Sequence, residues 1–486
     1  MELSNINLSR VFFAFTAMYH FLFVPLTIGL AMLVTVFEGI GLYTKNEDWY
    51  AYARYWGWFF PLFFVCGIVT GYPLRWQIDS HWAYFGELVQ QVISMVFDFE
   101  GKLFPVLLTL VVLFSVGWRL PRALHFVVSL SLALALVLQS TAILGLNAWM
   151  QNPVFTNFDS DTLIVPDLWS LMLNPMLPPK VLHQVISSWT LAGMLVVSLS
   201  GYFMIRRRNL NLARNSFKLA NYFTLVGLLG TGLAGHWSGS TLVDYQPMKF
   251  AAIEALWQTK HADDFVLFAI PNQQERANEF ALEVPGLLKI ITAESNSTVK
   301  GFDDLTQETS NRIKNELTIE TRHDTPQPKL EKTGYSGLIS KTGTITNHDI
   351  EAAALGSIPN VKVVFWSFRV MLAMWLLLLL ISSFNLYKDL PALEKNRAWL
   401  WVCVLALPAP WIATEAGWLV CEVGRQPWAV TGLLPTISGG SIRDAGYTGL
   451  QLLTYAGGYG VLFLLVLKLS FRHMKKGWSG AHSRFI

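Results

Sequence analysis

The stretch Trp411-Ile-Ala-Thr-Glu415-Ala-Gly-Trp418-Leu-Val-Cys421-Glu422-Val-Gly-Arg425-Gln-Pro-Trp428 closes an apolar run that begins near Trp399 and is long enough to cross a bilayer. It also carries three ionisable groups. A charge held in hydrocarbon costs about 2.5–3.5 kcal/mol even on the lenient insertion scale, so Glu415, Glu422 and Arg425 need partners, a metal or water. The segment therefore reads as a membrane helix that contributes to a functional site.

Composition extends this reading to the whole chain. The 486 residues are 53% hydrophobic and 14% charged, whereas an ordinary soluble protein is about 25% charged. This is an all-α, polytopic membrane protein and not a large soluble enzyme. A net charge of +3, scattered over loops, gives no reason to expect nucleic acid. Cys66, Cys403 and Cys421 lie in apolar runs without CxxC spacing, so neither a disulfide framework nor a cysteine metal knuckle is read. The first apolar run, from Val11, extends for about 30 residues with no small-residue cleavage pattern and is expected to remain as the first span.

A hydrocarbon core of about 30 Å needs roughly 20 apolar residues per helix. Nine runs qualify, at 11–40, 55–76, 92–118, 123–148, 181–204, 218–236, 361–385, 399–422 and 450–471. If they alternate, Arg119 and Arg122, the group from Arg206 to Lys218, Lys388 to Arg397, and Arg472 to Lys476 all fall on one side. That side is expected to be the cytoplasm, with the N-terminus outside and the C-terminus inside. The chain divides into spans at 1–236, an outer hydrophilic loop at 237–360 and further spans at 361–486. A loop this long is usually functional. Phe265–Ile270 and Phe280–Thr292 are expected to form short packed elements, and 293–350, rich in Thr, Ser, Asn, Lys and Glu, to be mobile.

Neutral imidazole is a common iron or copper ligand. His20 in the first span, His183 in the fifth, Met371 in the seventh and Glu422 at the end of the eighth fall at one depth towards the outer face if the spans alternate. His with Met is an axial pair that holds a low-spin haem and raises its potential. Packing or a hydrogen bond to a neighbouring helix is the alternative for each. His125, beside Arg122, reads as interfacial, and His81 and His236 as loop residues.

Glu100 lies in Asp98-Phe-Glu-Gly-Lys102, where it is either a proton-relay carboxylate or a neutralised neighbour of an Asp98–Lys102 pair. Arg369 and Arg425 are placed to neutralise carboxylates, whether haem propionates or Glu422 and Glu415. In the loop, Pro247 opens a helix that carries Lys249 and Glu254 among apolar residues. Such a helix either presents a cation and an acid to a quinone head group or lies on the membrane with a solvated charged face.

Five motifs, in order, resemble subunit I of the cytochrome bd quinol:oxygen oxidases. They are Ala14-Phe-Thr-Ala-Met-Tyr-His20-Phe-Leu-Phe-Val-Pro, Asn147-Ala-Trp-Met-Gln-Asn-Pro153, Gln246-Pro-Met-Lys249-Phe-Ala-Ala-Ile-Glu254, Phe368-Arg369-Val-Met371, and Pro410-Trp through Glu422-Val-Gly-Arg425-Gln-Pro-Trp428. The resemblance implies that His183 and Met371 ligate a low-spin haem b. It likewise implies that His20 and Glu422 serve two high-spin haems, a second haem b and haem d. Lys249 and Glu254 match the quinol-binding loop, Arg369 and Arg425 match haem-associated arginines, and Trp418 matches an aromatic residue between haems. Glu100 matches the first of two acids on the proton route.

The implied activity is oxidation of membrane quinol on the outer face and reduction of dioxygen to water. The implied partners are a subunit II, small single-helix subunits and the lipid bilayer of a bacterial inner membrane. Two other classes fit the residues less well: a haem-binding electron-transfer subunit without oxygen reduction, and an ion transporter using Glu100, Glu415 and Glu422. The chain also departs from the family pattern. Leu108 stands where the second acid is expected, Arg75-Trp-Gln-Ile-Asp-Ser-His-Trp82 replaces a segment that usually begins with Glu, and Gly117-Trp-Arg-Leu replaces Gly-Trp-Asp-Arg.

Overall fold

The computed structural model describes residues 2–159, 162–261, 264–286, 288, 298–320, 334–339, 345–441 and 444–476. Its main helices are α1 (Glu2–Phe21), α2 (Val24–Thr44), α3 (Glu47–Gly57), α4 (Phe59–His81), α5 (Gln90–Val116), α6 (Arg122–Gln151), α7 (Leu177–Ile205), α8 (Leu210–Tyr245), α9 (Pro247–Glu254), α10 (Phe302–Glu320), α11 (Asn347–Gly356), α12 (Val361–Tyr387), α13 (Arg397–Leu405), α14 (Ala409–Val423) and α15 (Ala445–Lys476). Among the described residues, eight helical stretches, some of them interrupted, are long and apolar enough to cross a membrane. The run at 218–236 lies inside α8, a helix of 36 residues that is not one of the eight. Gly, Thr, Asn221 and His236 dilute its apolar character.

Three expectations about local structure are corrected. The first run is not one unbroken helix, because the chain breaks at Leu22 and Phe23, where Pro25 starts a new first turn. The eighth is likewise split into α13 and α14, just before Pro408 and Pro410. Part of 293–350 is ordered helix. There α10 packs Ile313 against Ile350 and Ala354 of α11, and Thr346 and Asp349 close a capping box that starts α11. Of the loop's expected elements, Phe265–Asn272 (β1) pairs antiparallel with Ala277–Val284 (β2), which takes in the first part of the expected Phe280–Thr292 element; residues 287 and 289–292 of that element lie outside the described residues.

The core sits where α2, α3, α4, α7, α8 and α13 meet, around Leu30, Val34, Trp56, Phe60, Leu191, Phe217 and Cys403. The helices α7 and α8 approach backbone to backbone. A Cβ on Gly193 would lie 2.3 Å from Thr224 Oγ1, and one on Gly227 would lie 2.9 Å from Thr190 N, a small-residue seam of the kind that replaces hydrophobic driving force inside a bilayer. Conversely, α15 leaves Leu450, Leu453, Val461 and Leu464 exposed, and α5 leaves Val106, Val112 and Val116 exposed. Apolar side chains facing outward suit a lipid-facing surface.

Histidines read as interfacial or loop residues are placed otherwise. His125 is fully buried: its Nε2 donates to Phe114 O at 3.0 Å, and its Nδ1 meets both oxygens of buried Glu38 at 3.0 Å. His81 is buried at the end of α4 between Ser9 and Gln451, and His236 lies within α8. Both are helical because the helices run on past the apolar runs.

Candidate functional site

Each of the four candidate ligands is half-buried, and three of them face a glycine. A Cβ on Gly71 would lie 3.0 Å from the His20 ring, one on Gly235 3.3 Å from the His183 ring, and one on Gly417 3.2 Å from Met371 Sδ. Glycine on the facing helix makes the room each of these side chains occupies. Thr70 Oγ1 donates to Cys66 O at 2.7 Å and is therefore an acceptor for His20 Nδ1–H at 2.9 Å. Nε2 of His20 keeps its lone pair, the form a metal takes. His183 Nδ1 is buried and has no hydrogen-bond partner among the described residues.

Glu422 is the centre of a polar network that joins four helices, α6, α7, α9 and α14. Asn147 Nδ2 donates to Glu422 Oε1 at 2.9 Å, and Arg425 donates to Glu422 Oε2 from one turn further on. Lys180 Nζ donates to Asn147 Oδ1 at 2.6 Å, which places α7, one turn before His183, beside the end of α6. Lys249 Nζ donates to Gln151 Oε1 at 2.8 Å, and the amide of Gln151 reaches Asn147 Oδ1 at 3.1 Å and Cys421 Sγ at 2.8 Å. The loop helix is thus wired to Glu422 through the end of α6.

Lys249 and Glu254 are 2% and 1% exposed, so α9 does not present a solvated charged face. Burial lowers the Lys249 pKa to about 8. Burial raises that of Glu254, with the Arg369 guanidinium opposing the rise. Arg369 is fully engaged. It donates to Glu254 Oε2 at 2.9 Å and to the carbonyls of Ile253 and Val266, and it lies over the Phe365 ring at 3.8 Å. Neither Arg369 nor Arg425 reaches Glu415, whose two carboxylate oxygens are buried without a partner among the described residues.

Phe21, next to His20, stacks on Trp418 at 4.2 Å, which brings α1 against α14. Glu100 sits half-buried on α5 with Gln139 of α6 as its polar neighbour, and Asp98 and Lys102 form no ion pair with each other. Asn147 and Gln151 belong to a motif quoted from the sequence, but neither they nor Lys180 and Glu38 were singled out. Glu38 carried a usable signal, as an acid inside the first apolar run.

The donors fit a porphyrin better than a bare ion. Among the described residues no three His, Cys, Asp or Glu side chains converge on a point, whereas a porphyrin brings four nitrogens of its own and asks the protein for one or two axial groups.

Comparison with known proteins agrees with this. The family described as Cytochrome bd terminal oxidase subunit I matches residues 8–478. The chain is 34% identical to Cytochrome bd-II ubiquinol oxidase subunit 1 of Escherichia coli K12, over 98% of each chain. It is 28% identical to Cytochrome bd ubiquinol oxidase subunit 1 of Bacillus subtilis 168, over 98% of this chain and 94% of that one. The fold matches the bd oxidase structure from Geobacillus thermodenitrificans with a TM-score of 0.82 and 20% identity, over 98% of this chain and 100% of that one.

Proposed function

Because the chain belongs to the cytochrome bd terminal oxidase subunit I family, and so is the subunit I of a membrane quinol:oxygen oxidoreductase, we propose how its residues divide that work. Its nine spans place the N-terminus outside and the C-terminus in the cytoplasm of the bacterial inner membrane. Residues 1–236 and 361–486 carry the haem ligands, and the loop 237–360 handles quinol. His183 and Met371 would hold a low-spin haem b, and His20 and Glu422 the two high-spin groups, a haem b and a haem d. When bound, these haems supply the electron relay and the site of oxygen reduction.

The remaining roles belong to the chain. The Glu254–Arg369 pair, whose arginine lies two residues before Met371, orients quinol and accepts its protons on the outer side. Trp418 and Phe21 fill the space between the high-spin positions and exclude water from it. Glu100 carries protons inward from the cytoplasm, and because uptake and release lie on opposite faces, no pump is required. A subunit II and single-helix subunits cover the exposed apolar faces of the spans. Oxygen reduction is retained in this reading, and neither the electron-transfer-only alternative nor a transporter is favoured.

The observation that carries the reading is the connection from Lys249 in the loop through Gln151 and Asn147 to Glu422 in the membrane. The test is a pyridine haemochrome assay with an oxygen-electrode trace on the purified complex. Haem with quinol-driven oxygen uptake is expected. A preparation without haem would overturn the reading, and one with haem but no oxygen uptake would restore the electron-transfer alternative.

A further inference from the structure

Glu415 is an acid that the polar network around Glu422 leaves out. Among the described residues neither of its carboxylate oxygens has a hydrogen-bond partner, and both are buried. The adjacent Thr414 hydroxyl donates to Pro410 O at 2.9 Å, while Arg369 and Arg425 are committed to Glu254 and Glu422. An ionised carboxylate without a counter-ion costs far more at this depth than the neutral acid, so Glu415 keeps its proton. Its place on α14 gives that proton a destination. At about 100° per residue, Trp411, Glu415, Trp418 and Glu422 fall within about 60° of one another around the helix. Trp411 Nε1 donates to Leu22 O at 3.0 Å and Trp418 stacks on Phe21 at 4.2 Å, so this face meets the end of α1 directly after His20. Glu100, by contrast, sits on α5 against α6, and a proton carried there still has to cross to α14.

We propose that Glu415 is held as the neutral acid and donates its proton to the oxygen reduced between the His20 and Glu422 positions. The inference rests on the haem-bearing reading above and adds a step to it. In that step the O–H bond of Glu415 breaks, and a new O–H bond forms on oxygen that has taken an electron drawn from quinol. The carboxylate left behind takes up a proton that entered from the cytoplasm by way of Glu100, which returns Glu415 to the neutral acid. Trp418, one turn further along the same face, together with Phe21 keeps bulk water away, so the proton on Glu415 is the one at hand.

The test compares wild type, Glu415→Gln and Glu415→Asp in the purified complex by infrared spectroscopy, haem content, anaerobic haem reduction by quinol and oxygen uptake. Wild type is expected to show the C=O stretch of a buried carboxylic acid, shifted in heavy water and missing in Glu415→Gln. Glu415→Gln keeps the shape and neutrality of the acid, so it should retain haem content and the rate of haem reduction. Its oxygen uptake should fall by about a hundredfold, the scale of a lost general acid, and Glu415→Asp should recover part of that loss. Oxygen uptake at the wild-type rate in Glu415→Gln would overturn the proposal. An acid C=O band that is the same in wild type and both variants would also overturn it, because Glu415 would then be ionised. Loss of haem from both variants would overturn it in favour of a packing role. A wild-type complex without haem or oxygen uptake would instead remove the functional reading itself, while the infrared comparison would still report whether Glu415 holds a proton.

Discussion

Arg369 shows how much a single side chain can be committed in this protein. Its guanidinium is saturated by one carboxylate and two carbonyls and is covered by aromatic rings, so removing Glu254 leaves a buried charge without its counter-ion. Breaking such a pair costs about 3–5 kcal/mol. Glu254→Ala should lower the thermal unfolding midpoint in detergent, and a midpoint equal to wild type would mean that water replaces the carboxylate. Lys249 gives a second residue-level expectation, visible before haem is loaded. Its pKa falls from 10.5 unfolded to about 8 folded, through burial. The unfolded chain binds more protons between those values, so haem-free stability should rise with pH across that window. Denaturant titrations at its two ends would show the gain in wild type and its loss in Lys249→Met. The candidate ligands were legible in the sequence because a donor inside hydrocarbon is costly and therefore conspicuous. Their supports were not, since Asn147, Gln151 and Lys180 become partners only when three helices meet.

At the scale of the element, apolar run length located the helices well, and what it missed were breaks and burial. The interruptions at Phe23 and near Pro408 fall inside runs whose hydropathy is continuous, so nothing in their apolar content announces them. The seam between α7 and α8 was equally silent, because a glycine's role there depends on which helix faces it. It has a direct consequence for the site, since α7 carries His183 and α8 carries the glycine that faces it. Gly227→Val would push the pair apart at an overpacking cost of about 1–3 kcal/mol. The low-spin haem signal in a reduced-minus-oxidised spectrum should fall with stability, and an unperturbed signal would place His183 outside that haem. Helix α5 supplies the other test. Leu108 is 45% exposed on its outward face, while Glu100 is half-buried against α6. Leu108→Glu puts a carboxylate towards lipid at about 2.5–3.5 kcal/mol of insertion cost, so the yield of assembled complex should drop with turnover per haem unchanged. A rise in turnover per haem would show that the proton route passes through this position.

Across the whole molecule, the clustering of Lys and Arg was the most far-reaching sequence signal, and contacts between distant segments agree with it. Arg122 pairs with Glu47, Arg214 with Glu394 at 2.8 Å, and His473 packs on Trp58 and Tyr55, which joins the basic ends of the spans on one face. The opposite face is joined by Arg10 to Gln426, Ser9 to His81 and Tyr335 to Trp428. Two faces of different charge in a thin apolar slab admit two orientations, and the preference for Lys and Arg in the cytoplasm selects between them. Single cysteines at exposed positions decide the matter. Gln274→Cys, in the β1–β2 turn, should react with a membrane-impermeant maleimide on intact cells, and Lys388→Cys, after α12, only once the membrane is opened. The reverse pattern would put the loop at 237–360 in the cytoplasm. Proton release and uptake would then lie on the wrong faces to charge the membrane, which makes this labelling a test of energy conservation as well as of topology.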